Sequence, residues 1–367
     1  MSIFLDLSIQ IKTKIEKNGP ISIFDFMKHA LQTAEAGYYT GNKPIFGRNG
    51  DFITAPEISQ LFGEIIGIWC LNMWKLNGCP DKFNLVELGP GKGTLMKDLL
   101  RATKITPAFH KAMNICLVEL NSSLRLTQEK NIKHHSVNWY SQYQDVPESF
   151  SIIIANEFFD ALPINQYTKK KDDWFINMVD LNEDKQCLYV NQFDASPAIK
   201  EFLHTKYPTL QNNSIVETQD ETNIIMGQIS KNIHSYGGAA LIIDYGYTES
   251  IYRNYISTLQ AVKDHEYSPI FEEVGNADIS SHVNFTTLYD IANLYQTNTY
   301  GPITQREFLS NMYIDLRKNI LFLKANKKQK QEILSGYDRL INPNQMGKLF
   351  KAIALTDKKF NPSNIGF

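Results

Sequence analysis

Residues 83–94, FNLVELGPGKGT, read as a buried β-strand that carries an acid near its end and runs straight into a glycine-rich turn. The apolar run is short and β-rich, bounded by turn residues, as a strand covered on both faces should be. Gly89, Gly91 and Gly93 let the backbone turn sharply, approach a ligand with no Cβ in the way, and open the next helix. Ligands of open α/β sheets sit at the carboxyl ends of strands, so Gly89-Pro90-Gly91-Lys92-Gly93-Thr94 stands where a cofactor would bind. The glycines do not say which cofactor; Glu87, two residues before them, does. A carboxylate there would repel a dinucleotide pyrophosphate. It complements the ammonium and sulfonium charges of S-adenosylmethionine, by about 4 kcal/mol at ~4 Å and an effective dielectric near 20. An NAD-dependent oxidoreductase is disfavoured on that ground.

Short β-rich runs at 83–88, 114–119, about 133–138, 151–156, 213–217 and 239–244 alternate with helical stretches at 95–103, 122–130 and 218–236. That order predicts an α/β fold, a Rossmann-like, doubly wound and mostly parallel sheet. Two helices precede it within residues 3–36, divided at Gly19-Pro20, the second capped by Ser22. Residues 37–56, rich in glycine and aromatics, form a long loop lying over something, and an apolar helix over 57–76 starts behind Pro56. Polar and apolar residues alternate around a turn over 166–190, which predicts an inserted β-hairpin that extends the sheet or covers the site. Residues 285–367 read as mostly helical. The expected organisation is N-terminal helices and a site-covering loop over 1–80, the core over 81–285, and a helical C-terminal portion over 286–367.

A second strand, Ile115–Glu119 (ICLVE), ends in an acid whose two oxygens can accept from both ribose hydroxyls of a nucleoside. Ser151–Pro163 (SIIIANEFFDALP) stops abruptly at Asn156-Glu157, with Asp160 beyond; Glu157 and Asp160, three apart, could share one face of a helical turn and hold a cationic acceptor. Plainer readings stand beside these: strand-end charges in solvent for Glu87 and Glu119, a helix cap for Asn156, a solvated Asp160. Asp244-Tyr245-Gly246 serves equally as a strand-end turn or a substrate contact. Methyl transfer is an in-line displacement whose reactivity resides in the cofactor, so the absence of a nucleophile elbow, a Cys-His pair or a P-loop fits it.

A formal charge of −2 offers no general reason to bind nucleic acid. No apolar run approaches the ~20 residues needed to cross a bilayer. The opening MSIFLDLSIQIKTKIEKNGP lacks the marks of a secretory or transit peptide, and Cys70, Cys79, Cys116 and Cys187 are scattered without CxxC spacing. Both point to a reducing cytoplasm. His134 and His135 have no accompanying ligands, so no metal site is expected.

These residues resemble the MidA-type methyltransferases. The likeness rests on Gly37–Tyr39, Phe46-Gly47-Arg48, Gly50–Glu64 (GDFITAPEISQLFGE), Glu87–Thr94, Leu117–Gln128 (LVELNSSLRLTQ), Ala155–Pro163 (ANEFFDALP), Leu241–Gly246 (LIIDYG) and Thr258–Phe285, in order along the chain. The resemblance implies S-adenosyl-L-methionine as cofactor and a segment around Gly47–Glu57 that helps close its site, which makes Thr54, Pro56 and Glu57 candidates. It also implies a protein substrate, an arginine of a respiratory complex I subunit that the eukaryotic members dimethylate symmetrically. Glu157, Asp160 and Asn156 are then the catalytic candidates, and Glu87, Gly89, Pro90, Gly91, Gly93, Thr94 and Glu119 the cofactor ligands. Lys92 replaces a frequent arginine, and Asn284 stands where an acid is expected. The alternative is an assembly chaperone that binds the cofactor without turnover.

Overall fold

The apolar runs become strands buried on both faces, as parallel strands under helices must be. The computed structural model describes residues 6–34, 36–41, 54–249, 255–360 and 365–367. The chain divides into two compact units, one of residues 46–160, 223–250 and 283–367, the other of 1–45, 161–222 and 251–282.

In the first unit Phe83–Leu88 (β1), Met113–Val118 (β2), Val137–Tyr140 (β3), Ser151–Asn156 (β4), Gly238–Tyr247 (β5), Asn298–Thr304 (β6) and Phe350–Thr356 (β7) form a sheet ordered β3-β2-β1-β4-β5-β7-β6. Strands β1 to β5 pair in parallel, and β7 runs antiparallel between β5 and β6. All of β1 and β4 is buried. Strand order reverses beside β1, which puts the topological switch point at the carboxyl ends of β1 and β4. Helices Gln60–Leu76 (α1), Thr94–Thr103 (α2) and Ser122–Asn131 (α3) belong to the same unit. The fully buried Phe62, Ile65, Ile66 and Trp69 of α1 join Leu95, Met96 and Leu99 of α2 in one core.

Two local expectations change. The helix expected over 57–76 is two helices, Ala55–Ile58 and α1, because Ser59 adopts an extended φ of −156° and its hydroxyl accepts from the Leu61 N–H at 3.3 Å. Residues 285–367 are largely helical, including Ile314–Lys324 (α4) and Lys327–Ile341 (α5), yet they also supply β6 and β7. The run FKAIALT of β7 carries helix-favouring Ala, Leu and Lys, and becomes a strand because β5 offers it a full antiparallel ladder from Ala239↔Thr356 to Tyr245↔Phe350.

The second unit has its own antiparallel sheet. Asp173–Leu181 pairs with Asn165–Lys170, Ile21–Ser22 and Leu188–Asp194, and Asn165–Lys170 pairs in turn with Ile215–Thr218. The expected hairpin over 166–190 is therefore part of a separate sheet, and the strand expected at 213–217 sits here rather than among the parallel strands. Trp174, Tyr167, Leu203 and Val216 form its core. Ser22 caps helix Ile23–Gln32 as expected, accepting from the Asp25 N–H at 3.0 Å.

Candidate functional site

The loop after β1 is built on left-handed backbone: Gly89, Gly91 and Gly93 have φ of 60°, 52° and 76°, a region side chains other than glycine rarely adopt. Space is also tight, since a Cβ at Gly89 would stand 3.0 Å from Phe158 and one at Gly93 3.2 Å from Ile132, and those side chains would have to give way. Gly93 begins α2 with no side-chain cap, which leaves the first N–H groups of α2 for a ligand or water. Gln128, fully buried on α3, braces this loop. Its amide donates to the Gly91 carbonyl at 2.7 Å and to Glu119 at 3.2 Å, and its oxygen accepts from the Trp139 indole at 2.8 Å. Asn131 donates to the Lys92 carbonyl at 2.9 Å.

Thr54 and Pro56 open the short helix Ala55–Ile58. Glu57 turns to the glycine loop: one carboxylate oxygen accepts from the Thr94 hydroxyl and the other stands 3.5 Å from the Lys92 ammonium. Gly50–Ile53 and Phe46-Gly47-Arg48, singled out in the sequence, lie outside the described residues.

Glu87 and Glu119 are not strand-end charges in solvent. Glu87 is 3% exposed, and its Oε2 is buried with no hydrogen-bond partner among the described residues. Burial pushes its carboxyl up to about 8. Glu119, just past the end of β2, accepts from the Asn121 N–H at 2.8 Å and from Gln128. Burial raises it to about 7 against the lowering effect of those hydrogen bonds.

At the end of β4, Asn156 caps no helix, and residues 157–160 form a turn rather than the helical turn expected. Glu157 sits at a φ of 51°, and its Oε1 accepts from the Ala55 N–H at 2.9 Å and the Asn156 amide at 3.1 Å. The Asn156 Oδ1 is buried with no hydrogen-bond partner among the described residues. Asp244, fully buried near the end of β5, accepts from the backbone N–H groups of Phe158, Phe159 and Asp160 at 3.2, 3.0 and 3.2 Å. Burial first, then the neighbouring Asp160 and Glu157, drive its carboxyl far above the usual range. Asn284 caps helix Phe285–Leu294, accepting from the Thr286 N–H at 3.1 Å, and donates to Glu249 at 2.9 Å. Asparagine and aspartate cap equally well, so the cap accounts for the residue at this position.

The short helix Ala55–Ile58 joins the two halves of the site: Glu57 reaches the glycine loop and Ala55 is held by Glu157. Sequence reasoning missed Gln128 as a brace. Gln128 lies one turn before Ile132 in a mostly polar helix, SSLRLTQEKN, where spacing does not distinguish it from a surface glutamine.

Against known proteins, residues 65–303 match the family described as S-adenosyl-L-methionine-dependent methyltransferase. The chain belongs to that family, and its cofactor is S-adenosyl-L-methionine. Its sequence is 34% identical over 369 residues to the human protein arginine methyltransferase NDUFAF7, mitochondrial, covering 93% of this chain and 81% of that protein. It is 35% identical over 370 residues to the mouse counterpart, covering 93% and 82%. A COG1565 superfamily member from Burkholderia thailandensis, crystallised with S-adenosyl-homocysteine, shares the fold at a TM-score of 0.86 and 23% identity over 98% of this chain and 94% of that one. The relatives are named as mitochondrial proteins, which overturns the cytoplasmic location expected above. Scattered thiols report only reducing surroundings, which are not confined to one compartment.

Proposed function

We propose that this methyltransferase acts on an arginine side chain of a protein, a subunit of respiratory complex I, and makes the symmetric dimethyl product. The cofactor supplies an electrophilic methyl group. Glu87, Gly89, Pro90, Gly91, Gly93, Thr94 and Glu119 would hold it, with Thr54, Pro56 and Glu57 closing over them. The fit rests on the buried oxygen of Glu87, which has no partner among the described residues and which a cation would satisfy, and on the uncapped start of α2. Glu119 would take the ribose hydroxyls.

The observation that carries the arginine reading is the concentration of Glu157, Asp160 and Asp244 around one turn at the carboxyl edge of the sheet. A guanidinium is always charged when free, and a cationic cofactor repels it unless carboxylates neutralise and orient the pair. Asp244 is committed to holding the backbone, which leaves Glu157 and Asp160, with Asn156, to face the acceptor. The names of the relatives support the same acceptor.

Glu157→Gln should retain cofactor binding by calorimetry and lose transfer of labelled methyl groups to protein. A normal turnover rate would remove Glu157 from the acceptor site. Tight cofactor binding by the wild type with no transfer to any protein would return the chaperone reading. Mass spectrometry of a deletion strain, searching for one missing arginine methylation on a complex I subunit, identifies the acceptor.

A further inference from the structure

Helix α4 leaves its outer face uncovered. Leu316, Ile320 and Leu323 follow one another at i, i+4 and i+7, the spacing of a single helical face, and they are 60%, 42% and 86% exposed. Tyr313, on the same side of the helical wheel, is 73% exposed. Scattered exposed leucines need no explanation, but a stripe of them along one short helix does. The rest of α4 is engaged. Ile314 is buried, Arg317 bonds the buried Glu64 at 2.7 Å, and Lys318 bonds Asp315 at 2.9 Å while lying over the Tyr337 ring.

A cluster of cations follows the stripe without interruption. Lys324 ends α4, and Lys327, Lys328 and Lys330 open α5; all four are exposed, and among the described residues none is in an ion pair. Residues 324–330 hold four Lys and no acid, in a chain whose formal charge is −2. The cationic character is therefore local and set against an acidic remainder.

We propose that the α4–α5 hairpin is a docking surface for an anionic lipid bilayer. An amphipathic helix of this kind lies in the plane of the interface, its aliphatic side chains among the acyl chains and its flanking lysines at the headgroup phosphates. Charge decides between this occupant and others. A second copy of the chain seated on the same face would double the local excess of cations at the interface. Nucleic acid would take the lysines but gives three exposed aliphatic side chains nothing to bury in. The surface is independent of the methyl-transfer reading, since none of its residues is among the candidate site residues.

Co-sedimentation of the whole protein with vesicles tests the proposal. Vesicles of equal parts phosphatidylcholine and phosphatidylglycerol should bind it at least tenfold more tightly than pure phosphatidylcholine, with the binding falling as salt rises. Reversing Lys327, Lys328 and Lys330 to glutamate should weaken it by at least about 100-fold, from roughly 1 kcal/mol for each lysine lost at an anionic surface. Leu316→Asn with Leu323→Asn should abolish it while cofactor affinity stays at the wild-type value, which shows that the variant folds. Equal binding to both vesicle types, or wild-type binding by either variant, overturns the proposal. So does a concentration-dependent dimer that the leucine variants dissolve, which would assign the face to a second copy.

Discussion

The carboxylate of Asp244 accepts a hydrogen bond from the backbone N–H of Asp160 at 3.2 Å, and the same oxygen takes those of Phe158 and Phe159. A residue near the end of β5 thus fixes the turn that follows β4, and with it the directions of Glu157 and Asp160. Asp244 is a positioning residue on this geometry. Asp244→Ala strands three backbone donors in a dry site and lets the turn relax. Displacements of about 1 Å cost methyl transfer on the order of 100-fold. The loss should fall mainly on kcat, with cofactor affinity by calorimetry changed less, because among the described residues Asp244 bonds the turn and not the glycine loop or Glu119, and meets the loop only through the packing of Phe158 on Gly89. An equal loss in cofactor affinity would show that the turn and the loop are one unit.

Glu119 is held ready by Asn121 and Gln128, so its replacement can be read against theirs. Glu119→Ala should weaken cofactor binding by about 1–3 kcal/mol, the scale for losing a buried charged partner. Gln128→Ala, which removes the brace of Glu119 and of the Gly91 carbonyl together, should weaken it in the same direction. Unchanged affinity in Glu119→Ala removes that residue from the cofactor site.

Glu87 makes stability and cofactor binding respond to pH in opposite senses. Its folded carboxyl stands at about 8, above its ordinary value of 4.5, because it is buried. The folded state therefore holds a proton that the unfolded state has released over that interval. Stability contributed by this group is full below about 4.5 and is lost as pH rises towards 8, and Glu119, raised to about 7 by burial, adds to the same slope. The melting temperature of the ligand-free protein should fall across this range, and less so in Glu87→Gln. The cationic cofactor prefers the carboxylate, so its binding should tighten with pH up to about 8 and release a proton. Calorimetry in buffers of different ionisation enthalpy measures that proton; none released at about pH 7 would mean Glu87 does not meet the cofactor.

Phe83–Thr94 and Ser151–Asn156 were legible because a strand buried on both faces is a continuous apolar run, and Gly89, Gly91 and Gly93 mark where the chain must turn. Ile215–Thr218 was legible as a strand but not as a member of the smaller sheet, since its partner, Asn165–Lys170, is fifty residues away in sequence. Phe350–Thr356 was missed because its composition favours helix and only the waiting edge of β5 makes it a strand. In the site, Glu87 and Glu119 could be placed by their position after apolar runs. The brace Gln128 could not: it acts through atoms of distant residues, and nothing in local spacing separates a buried amide from a surface one. Asp244 was legible at a strand end, as a turn or a substrate contact, but not as the acceptor for the N–H groups of Phe158, Phe159 and Asp160.

Glu64 tests how α1, α2 and α4 are held to one another. It is 1% exposed on α1 and lies between two cations, Arg101 of α2 at 2.9 Å and Arg317 of α4 at 2.7 Å, while Asp98 holds Arg101 from its other side at 2.6 Å. The three partners are not equivalent, because Arg101 and Arg317 keep 44% and 27% of their side chains in solvent. Removing the acid frees two arginines that water can take up. Removing both arginines leaves a carboxylate that water cannot reach. Glu64→Gln should therefore cost about 1.5–3 kcal/mol, the ordinary range for a charged hydrogen bond. Arg101→Met with Arg317→Met should cost about 3–5 kcal/mol, the penalty for an uncompensated buried charge. Denaturant unfolding of the two variants measures the difference, and adding Glu64→Gln to the double arginine variant should restore part of it. If the double arginine variant proves no less stable than Glu64→Gln, the carboxylate is reached by water after all and the network contributes only surface ion pairs.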